Sequence, residues 1–156
     1  MIQHWPRWIF ASMSKYAYDN RGGLYMYIEG QHRDTRELKD FCEFRLDGPN
    51  LTELSKGYWR AFVECNILLQ STLDDKNFHR IYVNCGIIVA MMSKNIPIYK
   101  YGSESVDDES LLGCMHLVQD ARGKERIQVS HFGIIDPSED LQQSCVEAHY
   151  EMFLDT

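Results

Sequence analysis

From Tyr58 to Gln70 the residues Trp59, Ala61, Val63, Cys65, Ile67 and Leu69 alternate with Arg60, Glu64, Asn66 and Gln70. Side chains two apart share one face of a strand, so this stretch predicts a single long strand with one apolar face. Such a face has to be covered by another layer. Ahead of it, Asp40 to Asp47 puts Phe41, Glu43, Arg45 and Asp47 on one side and Cys42, Phe44 and Leu46 on the other, a half-buried strand. Gly48-Pro49-Asn50 is expected to end that strand, leaving Asn50 to Gly57 as a polar connection.

Two helices are expected. Trp5, Trp8, Ile9, Ser12, Met13 and Tyr16 recur at helical spacing over Pro6 to Tyr18, with Pro6 suited to a first turn. Asp74 and Asp75 offer an N-cap and favourable charge to a second helix. Its stripe is Phe78, Ile81, Tyr82, Cys85, Ile88, Val89 and Met92, and Asn95-Ile96-Pro97 stops it. Leu24, Met26 and Ile28 alternate as in a short strand after the first helix. The remainder reads as strands over Ile98 to Tyr101, Leu111 to Val118, Arg126 to Ile135 and Leu141 to Phe153. The order predicts an α+β fold: an antiparallel or mixed sheet, with the N-terminal and the central amphipathic helix packed on one face. At 156 residues the chain is expected to form one domain over 1–156.

Charge narrows the function classes. The formal net charge is −7, the wrong sign for gripping phosphate backbones, so specific nucleic-acid binding is disfavoured. No stretch reaches the ~18 apolar residues of a membrane span, and the first ten residues lack the pattern of a secretory signal. The five cysteines, Cys42, Cys65, Cys85, Cys114 and Cys145, form no Cys-x-x-Cys pair, and four of them fall in apolar or alternating segments and read as buried hydrophobes. Phosphate-cradle, nucleophile-elbow and metalloprotease motifs are missing. His116 beside Cys114, His131, and His149 four residues after Cys145 have weak ligand spacing, and ordinary structural or surface roles are the better reading. Asp40, Glu43 and Asp47 are the acids a metal-dependent nuclease or hydrolase would use. Charge alternating with apolar residues is also the mark of a solvated strand face, so no catalytic residue, metal or cofactor is assigned.

Taken in order, EFRLDGPNLTELSKGYWRAFVECNILLQST, then DDKNFHRIYVNCGIIVAMM, then a β-rich tail ending EAHYEMFL resemble the tail terminator (tail-completion) proteins of long-tailed bacteriophages. The likeness is one of layout over most of the chain, closing on Tyr150-Glu151-Met152. It implies a non-enzymatic virion protein at the head-to-tail junction, assembled in the host cytoplasm. Copies of such a protein close into a six-membered ring that caps the tail tube, stops its polymerisation and meets the head connector or head-completion protein. DNA passes through the lumen without specific binding. Six copies at −7 each would carry −42, repelling phosphate within a Debye length of roughly 8 Å. The charged arm at about 30–40 and the loop from Gly102 to Ser110 are where this chain departs from smaller members. Arg33, Asp34, Arg36, Glu37 and Lys39, with Asp107, Asp108 and Glu109, are therefore the interface candidates. A small phage regulatory binding module, working as a monomer or dimer, is the other alternative to an enzyme.

Overall fold

A computed structural model describes residues 2–31, 39–73, 79–102, 110–118, 127–136 and 140–156. After a single 3-10 turn at Ile2–His4 comes helix α1, Trp5–Asp19, with proline in its first turn. Trp5, Trp8, Ile9, Ser12 and Met13 are buried as the helical spacing predicts, and Ala17 extends the stripe. Strand β1 covers Tyr25–Ile28, β2 Asp40–Ser55 and β3 Tyr58–Thr72. Helix α2 is Arg80–Met92, followed by β4 at Ile96–Lys100, β5 at Ser110–Leu117, β6 at Ile127–Asp136 and β7 at Leu141–Asp155.

The strands form one seven-stranded sheet in the order β1-β2-β3-β7-β5-β4, with β6 also paired to β7. It is a mixed sheet, because β1 runs parallel to β2 while the other pairs are antiparallel. Strands β3 and β7 are its spine: they pair over their whole lengths, from Tyr58 opposite Asp155 to Thr72 opposite Leu141. One face of this pair is Ala61, Val63, Cys65, Ile67 and Leu69 against Val146, Ala148, Tyr150, Met152 and Leu154, all buried. The apolar residues of α1 and α2 belong to the same buried cluster. Helix α1 packs on β4 and β2, and α2 on β7, β3 and β6.

Several sequence expectations need correction. Gly48-Pro49-Asn50 does not end β2, and Asn50 to Gly57 is not a free connection: pairing resumes at Asn50 opposite Phe62 and runs to Ser55 opposite Tyr58. The register shift between Asp47 and Asn50 is a bulge, where turn chemistry is spent on re-aiming the strand instead of stopping it. Gly48 sits there at φ 107°, and a Cβ on it would lie 2.9 Å from the Phe62 carbonyl oxygen. Only glycine fits such an approach. Helix α2 starts at Arg80 with His79 at its N-cap and no side-chain cap, and Asp74, Asp75 and Phe78 lie outside the described residues. Tyr82, expected on the buried stripe, is exposed and meets the His131 ring of β6 at 4.6 Å instead. Phe41, placed by alternation on the polar side, is buried beside Cys42. Trp59 is only partly buried, edge-on to the fully buried Trp5 at 6.5 Å.

Helix α2 lacks basic residues in its last turn. Its terminal carbonyls are satisfied by tyrosines from distant elements: Tyr16 Oη donates to the Met91 carbonyl at 2.9 Å and Tyr150 Oη to that of Met92 at 2.6 Å. The Tyr150-x-Met152 pattern is thus internal to the core, with both side chains buried. Ser12 joins α1 to β4 by accepting from the Tyr99 backbone N–H at 2.8 Å.

Candidate functional site

Two regions lie outside the core and offer chemistry or contact. The first is the edge made by β6. Strand β6 pairs with β7 on one side, from Ile127 opposite Ala148 to Asp136 opposite Leu141, and among the described residues no strand pairs with its other side. Ten residues make a long edge, and Val129, Phe132, Ile134 and Ile135 along it are exposed. Two register shifts, one between His131 and Gly133 and one between Ile134 and Asp136, twist it. Exposed apolar edges are templates for a further strand, and soluble monomers usually blunt them with charge. The strand path itself ends at β4 on this side of the β3–β7 pair and at β1 on the other, β1 being four residues with a different sequence and direction of pairing.

The second region is the outer face of the β2-β3-β7 spine, turned away from the buried cluster. Here the alternation brings polar side chains into rows. Arg60 Nε donates to Glu151 Oε2 at 2.7 Å, and its guanidinium lies 4.9 Å from the Phe62 ring centroid. Phe62 in turn packs on the His149 ring at 5.6 Å. Arg45 donates to Glu43 at 3.2 Å, and the Tyr27 hydroxyl donates to the same carboxylate at 3.4 Å. Burial, then the nearby Glu43 charge, push the Tyr27 hydroxyl above its ordinary range. Between these pairs, Glu64 stands directly opposite His149, and Glu147 is two residues before His149 on the same strand face. His149 Nε2 is 3.0 Å from Glu147 Oε1 and 3.8 Å from Glu64 Oε2. The three ligand-type atoms all lie within 4.8 Å of one another, and all three residues are half-buried.

The sequence-derived candidates map unevenly onto these regions. Lys39 is exposed at the start of β2, where its carbonyl accepts from Thr72 N–H at 2.8 Å. Arg33, Asp34, Arg36, Glu37, Asp107, Asp108 and Glu109 lie outside the described residues. The acids of the nuclease alternative do not converge. Asp40 is held by Arg80 and by Asn84 at 3.2 Å, from α2; Glu43 is bound to Arg45 and Tyr27; and Asp47 is exposed opposite Glu64. His131 is tied to Ser144 Oγ at 2.6 Å, and His116 is exposed on β5. All five cysteines are free, with Cys42, Cys65 and Cys85 buried. Burial pushes the Cys42 thiol up to about 12 and raises that of Cys65 further, so neither is a nucleophile at neutral pH. The surface depressions are shallow: one of about 300 Å³ lies along Tyr18 to Met26 and carries no acid, and one of about 220 Å³ has Ser12 in its lining, already bonded to Tyr99.

The Glu64-Glu147-His149 group was missed by reading Cys-to-His spacing. Glu147-x-His149 on a strand is a legible hint, since both share a face, but Glu64 joins them only through the β3–β7 register. Among the described residues no helix is long and apolar enough to cross a membrane. No protein-family model matches the chain, and neither does any curated protein.

Proposed function

We propose that this chain is a structural subunit that assembles with its own copies into a ring, and that the ring is the tail terminator at the head-to-tail junction of a long-tailed bacteriophage. The observation that carries the reading is the pair of unlike sheet edges. A closed ring needs a heterologous interface, in which one patch of each subunit meets a different patch of the next. The long apolar edge of β6 and the short β1 edge, on opposite sides of the β3–β7 pair, are two such patches. The apolar residues of both helices join the cluster on the inner face of β3 and β7, and in this reading the outer face lines a lumen or meets a neighbour.

The acidity suits that role: a ring at −7 per subunit lets DNA slide past without adhering. The tail-tube protein and a head-completion or connector protein are its proposed partners. Arg33, Asp34, Arg36, Glu37, Lys39, Asp107, Asp108 and Glu109 are its proposed contact residues. No observation favours the hydrolase alternative, whose acids are dispersed, or the small regulatory module.

Electron microscopy tests the reading. Purified chain added to tail tubes is expected to give six-fold rings that cap tubes of fixed length, and labelled chain is expected at the neck of virions. Phe132→Asp with Ile134→Lys is expected to abolish the rings while the circular dichroism of the subunit is retained. A stable monomer or dimer that never caps tubes and never enters virions would sink the proposal.

A further inference from the structure

We propose that Glu64, Glu147 and His149 form a binding site for one divalent first-row transition-metal ion of the zinc class, tying β3 to β7 on the outer face of the sheet. The inference is independent of ring assembly, because all three residues belong to one subunit. Zinc takes carboxylate oxygens and imidazole nitrogens at about 2.0–2.2 Å, so two ligand atoms of one tetrahedral ion stand roughly 3.4 Å apart. Here His149 Nε2 stands 3.0 Å from one carboxylate oxygen and 3.8 Å from the other. The whole set falls within 4.8 Å, so small rotations at the ends of two glutamate side chains complete the site.

Three features make this a prepared set and not a chance meeting of surface charges. The positions are fixed by continuous pairing: Glu64 faces His149 across the strands, and Glu147 is their neighbour on the same face. The ligands are oriented by their surroundings, as metal ligands usually are. Asn66 Nδ2 donates to Glu64 Oε1 at 3.2 Å, leaving Oε2 turned toward the imidazole, and the Phe62 ring packs on that of His149. Finally, among the described residues no arginine stands between the two glutamates. Arg60 is engaged by Glu151 and Arg45 by Glu43, so two like charges are held together around one imidazole nitrogen. A divalent cation relieves that repulsion. Two hard oxygens and one borderline nitrogen favour zinc over calcium or magnesium, which prefer oxygen alone. Three protein ligands leave a fourth position for water on the solvent side.

Titration calorimetry of the purified chain with zinc chloride is the test, with cobalt chloride as an optical probe. One ion per chain is expected to bind, raising the midpoint of thermal unfolding, and cobalt is expected to give the visible absorption of a nitrogen- and oxygen-bound ion without a thiolate band. His149→Gln should weaken binding by about tenfold or more. Glu64→Gln with Glu147→Gln should abolish it while keeping the metal-free unfolding midpoint within a few degrees of the parent's, since each glutamine retains a side-chain oxygen for the contacts with Asn66 and His149 and loses only the charge. Undetectable zinc binding at millimolar concentration overturns the site. So does binding of the same strength in His149→Gln, or a cobalt–thiolate band, either of which places the ion elsewhere.

Discussion

The two faces of β3 and β7 are built from the same thirty residues and do opposite work. On the inner face the alternate residues from Ala61 to Leu69 and from Val146 to Leu154 are apolar and buried, Ser71 and Ser144 continue the two buried rows as polar residues, and both helices contribute to the layer that covers the face. On the outer face most of the intervening residues are charged, amide or aromatic, with Leu68 and Cys145 among them, most are half-buried, and several are tied to one another by ion pairs and hydrogen bonds. Period-two alternation thus separates stability from interaction within one pair of strands. The inner face resists change because close packing leaves no slack, whereas the outer face can be rewritten at little cost in folding.

The largest effect is expected inside. Trp5 is fully buried against Trp59, and Trp5→Ala should cost about 3–5 kcal/mol, read as a lowered urea midpoint. Tyr150→Phe removes one hydroxyl and leaves the buried Met92 carbonyl without its donor, for about 1–3 kcal/mol by the same measurement. The buried groups also set a pH limit. Burial raises Tyr150 above its ordinary value of 10.0 and lifts Cys42 from 9.0 to about 12, so both favour the protonated, folded state. The Cys42 contribution is complete below about pH 9 and is lost as pH climbs through about 12, and that of Tyr150 declines once pH passes its ordinary value of 10.0; denaturant midpoints between pH 8 and 11 should fall, never rise.

On the outer face Arg60→Ala breaks a partly exposed ion pair with Glu151 and should cost about 0–1 kcal/mol. If it cost as much as Trp5→Ala, the division between the faces would be wrong. Smallest of all, Ile134→Lys on the β6 edge should change subunit stability by no more than about 0.5 kcal/mol while reducing self-association in sedimentation velocity.

The inner face was legible in the sequence because a continuous run such as Trp59 to Leu69 leaves only one way to hide its apolar side chains. So was α1, whose stripe is long and regular. Local signals failed where long-range pairing overrode them. Gly48-Pro49 carries the chemistry of a turn, yet β3 supplies a partner beyond it and turns a stop into a bulge. Tyr82 has helical spacing with Cys85 and Val89, but it lies at the flank that β6 reaches and meets His131 there. The outer-face cluster was invisible for the same reason, since Glu64 and His149 are neighbours only through the register of two strands far apart in sequence.

The position of β7 has a consequence for how the molecule is made. The last strand of this sequence lies in mid-sheet, with β3 along one side and β5 and β6 along the other. Tyr16, near the opposite end of the sequence, and Tyr150, within β7, jointly close the end of α2. A fragment ending before residue 141 therefore lacks the strand on which β3, β5 and β6 pair and one of the two hydroxyls that close α2. Pairing across so long a loop is slow. The sheet therefore closes late, when β7 enters between strands that precede it in the sequence and joins them into one layer.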